Sequence, residues 1–372
     1  MYQHPDDDSL NQAASRALDK IVDLELTAVP AVTSVLIDSR GNKPQVNTLL
    51  GGALPREFTT GPDVSDNAFE AAFDTALMPI CWRSIQPSEG DFDWSVTDRQ
   101  LTWCQDRQMR TVAGPLMRLA PETLPEWVLE MENDSHRFLR KADEFVRAAA
   151  AQYGSKVNLW YAAAGMNMGA ALGINEESRL RLTAACVESI REVDPQTPVM
   201  VGFDQPWGEY LGSGGHDFAP IEFADTLIRA GLGIAALSLE LNFDTWPRGT
   251  TRRDVFTLLE QLNRWSQFQL PLVLIISAPS QPDLAAEGDE RSVITYDASP
   301  QHQARLVREM VPLLQAHPVV QGIVWNQWYD TEAVEFGLPH TGLVDQSGQA
   351  KPSLKSWTSI RHAQHAQHTE SS

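Results

Sequence analysis

The chain has 372 residues, of which 42% are hydrophobic and 21% charged, so it is long enough to bury one barrel-sized core or two ordinary ones. Its 29 Lys and Arg residues against 49 Asp and Glu residues give a formal net charge of −20, which excludes a nucleic-acid partner held through its phosphates. No apolar run reaches the length of a membrane span, so the composition indicates a soluble globular protein with no membrane partner.

The beginning of the chain predicts a small appendage over residues 1–47. Residues 9–26 have helical spacing, and VTSVLIDSRGNKPQV is typical of two short extended runs around a turn at Arg40, Gly41 and Asn42. The first residues have neither a basic start nor an apolar core, so no secretory signal is visible and we expect a cytoplasmic location.

From Thr48 onward, short apolar runs alternate with amphipathic segments. In RRDVFTLLEQLNRWSQF, for example, Val255, Leu258 and Leu262 share one helical face. Strands that are apolar on both faces and separated by helices indicate a parallel sheet covered by helices. Eight such units predict an α/β fold, a closed (β/α)₈ TIM barrel over residues 48–360. The eight strand candidates are residues 48–54, 75–82, 110–117, 157–165, 198–204, 234–242, 271–278 and 322–330.

An open doubly wound sheet is the alternative fold, but it would need a Gly-rich phosphate turn, and the sequence contains neither GxGxxG nor a P-loop. No HxH or HExxH pattern is present, and the three cysteines lack metal-site spacing, so we expect core thiols, no metal and no cofactor. The polar, repetitive tail over residues 361–372 is predicted to be disordered.

Three segments resemble glycoside hydrolase family 10, the xylanase family. WRSIQPSEGDFDWSVTDRQL (82–101) is similar to the family's second-strand motif, and GPLMRLAPETLPEWV (114–128) is similar to its third-strand loop. HPVVQGIVWNQWYD (317–330) and GLVDQSGQAKPSLKSW (342–357) resemble its last strand and closing run. The resemblance implies a barrel that acts on O-glycosyl bonds, with an oligo- or polysaccharide as partner.

The resemblance also implies two catalytic glutamates, an acid/base at the end of strand 4 and a nucleophile at the end of strand 7. Retaining enzymes hold such a pair about 5–5.5 Å apart. In this sequence the acid/base position falls on Gly165, after Ala164, and the nucleophile position falls on Ile276 or Ser277. The standard pair is therefore missing. The family's sugar-binding positions fall on Leu77, Met78, Cys81, Gly114, Glu240 and Asn242.

Glu240 is the first candidate for a relocated catalytic acid. It lies near the end of IAALSLELN, where apolar neighbours on both sides suit a general acid. The alternative is an ion pair that closes a loop, with Arg248, Arg252 or Arg253 as partner. The structural and the functional interpretations stay open at this point.

Glu209 is the second candidate, in FDQPWGEYLG after strand 5. An acid beside Trp207 and Tyr210 suits a sugar site, because rings stack on pyranoses while carboxylates accept hydroxyl protons. The alternative is an ordinary packed turn. Asp204, Asp244 and Asp330 are weaker candidates, since Asp at strand ends also caps turns and helices. The predicted substrate-binding residues are Trp82, Trp207, Tyr210, Asn242, Trp246, Trp325 and Trp328.

Two functions from different classes fit these observations. One is an O-glycosyl hydrolase whose acids have moved to Glu240 and Glu209. The other is a non-catalytic barrel, a pseudoenzyme, that binds a glycan or a protein. Two carboxylates within about 10 Å that face an open cleft would favour hydrolysis. Acids held by arginines would favour binding.

Overall fold

The computed structural model describes residues 27–38, 48–56, 64–132, 134–169, 171–213, 216–245, 249–251, 253–281, 298–330, 338 and 340–371, with residues 13, 16, 17 and 20. Eight parallel strands form a closed barrel in sequence order, and the last strand pairs with the first. The predicted (β/α)₈ barrel is confirmed. The strands are Leu49–Ala53 (β1), Thr75–Met78 (β2), Arg110–Ala113 (β3), Leu159–Ala164 (β4), Val199–Asp204 (β5), Ala236–Asn242 (β6), Leu272–Ser277 (β7) and Val320–Trp325 (β8).

Helices cover the outside of the barrel and connect consecutive strands. A first helix, α1, spans residues 27–38. The others are Val64–Ala72 (α2), Trp82–Ile85 (α3), Ser95–Asp106 (α4), Glu126–Leu129 (α5), Ser135–Tyr153 (α6), Glu176–Val193 (α7), Pro220–Arg229 (α8), Val255–Ser266 (α9), Pro300–Ala316 (α10) and Pro352–Ser371 (α11), with 3₁₀ turns at Pro121–Thr123 and Glu209–Ser213.

The barrel has apolar layers on both sides of its strands, which explains their continuous apolar sequences. In β7, Val273 and Ile275 join the cluster inside the barrel, whereas Leu272, Leu274 and Ile276 pack with the helices outside. Successive side chains of a strand point to opposite faces, so burial on both faces requires apolar residues throughout. Because all eight strands are parallel, their carboxyl ends meet at one rim.

All eight predicted strands are longer than the observed ones, and the difference is largest, four residues, at 75–82 and 110–117. The strand predicted over 75–82 ends at Met78, because Pro79 has no amide hydrogen to continue the ladder, and α3 begins at Trp82. The strand predicted over 322–330 spans Val320–Trp325.

Residues 32–38, in the first extended run predicted within VTSVLIDSRGNKPQV, are helical in the structure. Val29 is buried, and Val32 and Leu36 pack against the same core, which gives the spacing of a helical stripe. The β-branched residues favoured a strand locally, but this tertiary contact selects the helix. Residues 13, 16, 17 and 20 of the helix predicted over 9–26 are helical. The rest of that helix, and the turn at Arg40–Asn42, lie outside the described residues.

The tail predicted to be disordered continues α11 to Ser371. Arg361 Nη1 lies 3.3 Å from Asp74 Oδ2, and Gln364 Nε2 donates a 2.8 Å hydrogen bond to the carbonyl oxygen of Thr48. These contacts anchor the polar helix beside β1, and a composition argument could not foresee them. None of the helices in the described part of the chain has the length and apolarity of a membrane span.

Candidate functional site at the barrel mouth

Four polar side chains from consecutive parts of the barrel meet at its carboxyl-terminal rim. Tyr161 lies on β4, Asp204 ends β5, Glu240 lies near the end of β6, and Arg118 follows β3. Asp204 and Glu240 are register partners across β5 and β6. In a barrel, this rim is where ligands bind.

The chain after β3 positions Arg118. The amide of Met117 donates to Ala162 O at 3.1 Å, and the amide of Ala164 donates to Met117 O at 2.9 Å, so this segment is bound to the end of β4. The hydroxyl of Thr123 also donates to Arg118 O at 2.7 Å. The arginine is therefore held beside β4 and directed across the mouth.

One guanidinium contacts both acids of the rim. Arg118 Nη2 donates a short hydrogen bond to Glu240 Oε1, and Arg118 Nη1 lies 3.8 Å from Asp204 Oδ2. The side chains of Glu240 and Asp204 are almost completely buried, whereas that of Arg118 is 27% exposed. Arg118 consequently covers the two carboxyl groups from the solvent side.

Tyr161 completes the contacts of Glu240 from inside the barrel. Its hydroxyl donates to Glu240 Oε1 at 3.0 Å. The Tyr161 ring fits because residue 202 on β5 is a glycine. A Cβ at Gly202 would lie 1.9 Å from the Tyr161 hydroxyl oxygen. Burial raises the pKa of Tyr161 well above its usual value, so the hydroxyl stays protonated as a donor.

Asp204 is the acid with the strongest electrostatic perturbation. Burial and the neighbouring charge of Glu240 raise its pKa to about 8, although Arg118 and the backbone amide of Gln205 lower it. That amide donates to Asp204 Oδ1 at 2.7 Å. Asp204 therefore keeps its proton at neutral pH. Since the charge on Glu209 also raises the pKa of Asp204, the three acids lie in one electrostatic environment.

At Gly165, where the family resemblance implies the acid/base, the space is already filled. Gly165 has a φ of +63°, and a Cβ there would lie 3.0 Å from Arg118 Nη1 and 3.8 Å from Asp204 Cβ. Both the backbone conformation and the arginine oppose a side chain at this residue. Gly165 at the mouth of β4 thus makes room for Arg118.

Ser277, one of the two residues where the family resemblance implies the nucleophile, belongs to a neutral network. Its hydroxyl donates to Asn242 Oδ1 at 2.7 Å, and Asn326 Nδ2 donates to the same oxygen at 3.0 Å. An amide oxygen is a poor base, so this contact does not activate the serine as a nucleophile. Ile276 packs on the helix side of the strand.

Glu209 is also bound by an arginine. Arg253 Nη2 donates to Glu209 Oε1 at 3.0 Å, and the hydroxyl of Thr250 makes a short hydrogen bond to the same oxygen. The Arg253 guanidinium also lies 5.4 Å from the centre of the Trp207 ring, so a cation–π contact joins the predicted aromatic to the same pair. Arg253, one of the three arginines considered as a partner of Glu240, therefore pairs with Glu209.

Four of the aromatic residues predicted to bind substrate are core residues. Trp82 stacks on Phe145 with centroids 5.0 Å apart, and Trp328 packs against Phe69 at 4.9 Å. Both are buried, as are Trp325, whose Nε1 donates to Thr341 O, and Tyr210, whose hydroxyl donates to Phe218 O. Trp207 stays partly exposed and Asn242 faces the mouth. Trp246, Arg248 and Arg252 lie outside the described residues.

The weaker acidic candidates have different surroundings. Asp330 accepts a 2.6 Å hydrogen bond from Lys351 Nζ in a buried pair, away from Glu240. Asp244 lies in a turn with a φ of +57°. Of these acids, the structure brings only Asp204 into contact with Arg118.

Sequence reasoning missed Arg118, Tyr161 and Asn326. The lone charge in the apolar segment PLMRLAP was a usable signal for Arg118, since a strand end seldom carries an isolated arginine without a partner. Nothing in the sequence links Tyr161 to Gly202, because that contact crosses the barrel.

The fold is shared with solved xylanases. Xylanase 10B from Thermotoga petrophila RKU-1, in complex with xylobiose, is 14% identical with a TM-score of 0.62, covering 88% of this chain and 96% of its own. A GH10 structure from Paenibacillus barcinonensis is 16% identical with a TM-score of 0.64, covering 86% and 98%. The intracellular xylanase TsXylA from Thermoanaerobacterium saccharolyticum, in complex with xylotriose, is 15% identical with a TM-score of 0.63, covering 85% and 99%.

No protein-family profile and no characterised sequence matches the chain. The low identities fit a divergent barrel, and at this level the likeness extends to the fold.

Proposed function

We propose that this chain, which has the fold of the family 10 xylanases, binds a saccharide at the barrel mouth without hydrolysing it. The observation that carries the proposal is the position of Arg118, which bonds Glu240 and fills the space beside Gly165. The predicted alternative, a non-catalytic barrel, is therefore the function that the geometry supports best.

Hydrolysis with retention needs one carboxyl group that donates a proton and one carboxylate that attacks the sugar, with the sugar between them. At this mouth a guanidinium lies against the acids instead. Glu240 is held by Arg118 and Tyr161, and Glu209 is held by Arg253 and Thr250. Both acids predicted to be catalytic are thus engaged in contacts that lower their reactivity.

Two observations support a saccharide as the ligand. Solved neighbours of the same fold contain xylobiose and xylotriose. In addition, Trp207 Nε1 and Glu209 Oε2 are buried without a hydrogen-bond partner among the described residues. A hydroxyl group of a bound sugar can accept from the indole N–H and donate to the carboxylate oxygen.

Relocated hydrolysis is the second candidate, and it has one specific observation in its favour. The raised pKa of Asp204 keeps a proton on this acid at neutral pH beside Glu240. A carboxyl group that keeps its proton near neutral pH is what a general acid needs. For this function Arg118 must leave the mouth when substrate binds.

The first test measures turnover and binding on the same panel of neutral and acidic oligosaccharides, polysaccharides and aryl glycosides. We expect heat of binding in calorimetry with at least one saccharide and no release of reducing ends. Glu240→Gln and the control Glu177→Gln are measured alongside. Glu177 pairs with Arg181 on the exposed face of α7, so its substitution removes a comparable charge from a solvent-exposed pair.

Release of reducing ends by the wild type that is lost in Glu240→Gln but kept in Glu177→Gln would establish hydrolysis and overturn the proposal. Neither binding nor turnover with any saccharide would overturn the carbohydrate assignment.

We also propose a cytoplasmic location and the absence of a nucleic-acid partner. A cytoplasmic location agrees with the description of TsXylA as an intracellular xylanase of the same fold. The net charge of −20 supports the absence of a nucleic-acid partner.

A further inference from the structure

Three neutral polar side chains lie side by side at the ends of the last three strands. Asn242 ends β6, Ser277 ends β7, and Asn326 directly follows β8. Asn242 and Ser277 are register partners, and the amide of Asn326 donates to Ile276 O at 2.9 Å, so backbone pairing holds all three at one level of the rim. We call these three side chains the neutral network.

One oxygen atom lies at the centre of the neutral network. Asn242 Oδ1 accepts a 2.7 Å hydrogen bond from the Ser277 hydroxyl and a 3.0 Å hydrogen bond from Asn326 Nδ2. Because both lone pairs of that oxygen are engaged, the Asn242 side chain cannot rotate without breaking two hydrogen bonds. The two amide groups are therefore held beside each other in one orientation.

The same two amide groups keep one donor and one acceptor for a ligand. Within the described part of the chain, Asn242 Nδ2 and Asn326 Oδ1 make no hydrogen bond. Neither atom belongs to the buried polar atoms that lack a partner, so both reach the solvent at the mouth. Ser277 is fully buried, so its part is to orient Asn242.

The donor and the acceptor of the neutral network also limit the charge of the ligand. Glu240 lies two residues before Asn242 on the same face of β6, but it is engaged by Arg118. A hydroxyl group both donates and accepts hydrogen bonds, whereas an anion can use only a donor and a cation only an acceptor. The neutral network therefore fits the hydroxyl groups of an uncharged sugar.

We propose that Asn242 and Asn326 recognise two adjacent hydroxyl groups of a neutral pyranose sugar. The inference rests on the proposed saccharide-binding function and specifies its ligand class and the residues that select it. Asn242 Nδ2 donates to the oxygen of one hydroxyl, and Asn326 Oδ1 accepts a hydrogen bond from the neighbouring hydroxyl.

The test measures by calorimetry the binding of xylobiose, cellobiose and mannobiose, together with derivatives of each that lack one ring hydroxyl. For at least one parent disaccharide, we expect the loss of either of two adjacent hydroxyls to weaken binding to the wild type about tenfold. Each loss leaves one amide group of the neutral network without its hydrogen-bond partner in the complex.

Asn326→Ala should bind the parent about tenfold more weakly than the wild type does, and should bind the derivative without the Asn326-bound hydroxyl as tightly as the parent. Asn242→Ala should do the same for the adjacent hydroxyl. A purely structural role would weaken parent and derivative equally. Gln152→Ala is the matched control, because it removes a neutral amide that bonds Asp98 between α6 and α4, and it should bind like the wild type. Urea denaturation checks that each variant is folded, and either asparagine variant alone decides the test.

Hydroxyl effects that are the same in the asparagine variants as in the wild type would overturn the inference and leave the proposed function standing. The same conclusion follows if no hydroxyl affects binding to the wild type, or if none of the three disaccharides binds while another saccharide of the panel does. Absence of binding to every saccharide would overturn both proposals.

Discussion

Arg118 and Gly165 are a matched pair of residues at the mouth of the barrel. The glycine adopts a φ of +63° and leaves a space that the guanidinium fills. A side chain at residue 165 would have to adopt a left-handed conformation and move an arginine that is bonded to buried Glu240. The open space at Gly165 and the position of Arg118 therefore depend on each other.

Gly165→Ala tests this relation when it is compared with Gly173→Ala. Gly173 has a similar φ of +55°, but a Cβ there would meet nothing within 4 Å. We expect both variants to lose about 1–2 kcal/mol from the left-handed conformation. Gly165→Ala should lose roughly a further 1 kcal/mol from crowding against Arg118. Chemical denaturation measures both values, and equal losses would show that Arg118 does not restrict the space.

At the scale of elements, single buried cations hold the loops around the rim. Arg179 on α7 donates to Met166 O at 2.8 Å and to Ile174 O at 2.9 Å, which fixes the loop after β4. Lys351, just before α11, donates to Asp330 Oδ1 at 2.6 Å and to the Ser280 hydroxyl at 2.7 Å. The contacts of Lys351 therefore join the segment that follows β7 to the segment that follows β8.

Lys351→Met should destabilise the protein strongly. Burial lowers the pKa of Lys351 while Asp330 raises it, and removal of the lysine would leave the Asp330 carboxylate buried without its cation. We expect a loss of about 3–5 kcal/mol in the free energy of unfolding. Lys355→Met, on the exposed face of α11, is the control and should change it by less than about 0.5 kcal/mol.

The double variant Lys351→Met with Asp330→Leu should recover part of the loss, because no buried charge remains. A loss in the double variant equal to the sum of the two single losses would contradict this account of the pair.

The sequence predicted the strands well and the ends of the elements less well. Eight apolar runs separated by helical spacing were sufficient for the barrel, because burial on both faces of a parallel strand leaves a local pattern. The helix over 27–38 and the end of α11 depend on contacts such as those of Val29 and Gln364 with distant parts of the chain. Local propensity carries no information about such contacts.

The candidate site also depends on contacts between distant parts of the chain, which leave no local signal. Glu240 was identified because it is an acid at a strand end, whereas its partner Arg118 lies 122 positions away in the chain. The buried tryptophans were assigned to sugar binding because a strand end does not reveal which side of the rim a ring occupies.

For the whole molecule, the buried acid at the end of β5 links stability to pH. Folding raises the pKa of Asp204 from an ordinary value of 3.8 to about 8, so the folded state holds this proton more tightly than the unfolded state does. The resulting stability is fully present below about pH 4 and is lost as the pH rises through about 8.

Asp204→Asn should remove this dependence, since an amide resembles the protonated acid. Relative to the wild type, we expect the variant to become progressively more stable as the pH is raised from 5 to about 9, as measured by urea denaturation. Asp225→Asn, which alters an exposed pair with Arg229 on α8, is the control and should show no such trend. A constant difference between Asp204→Asn and wild type across this range would contradict the assignment.

The contact between Arg118 and Glu240 means that the mouth contains an intramolecular competitor. A sugar that reaches the centre of the rim must displace a cation that is tethered to the same chain and therefore present at a fixed, high effective concentration. The apparent affinity is the intrinsic affinity multiplied by the fraction of molecules in which the arginine has left the mouth. The mouth then favours ligands that offer Arg118 a hydrogen-bond acceptor in place of Glu240.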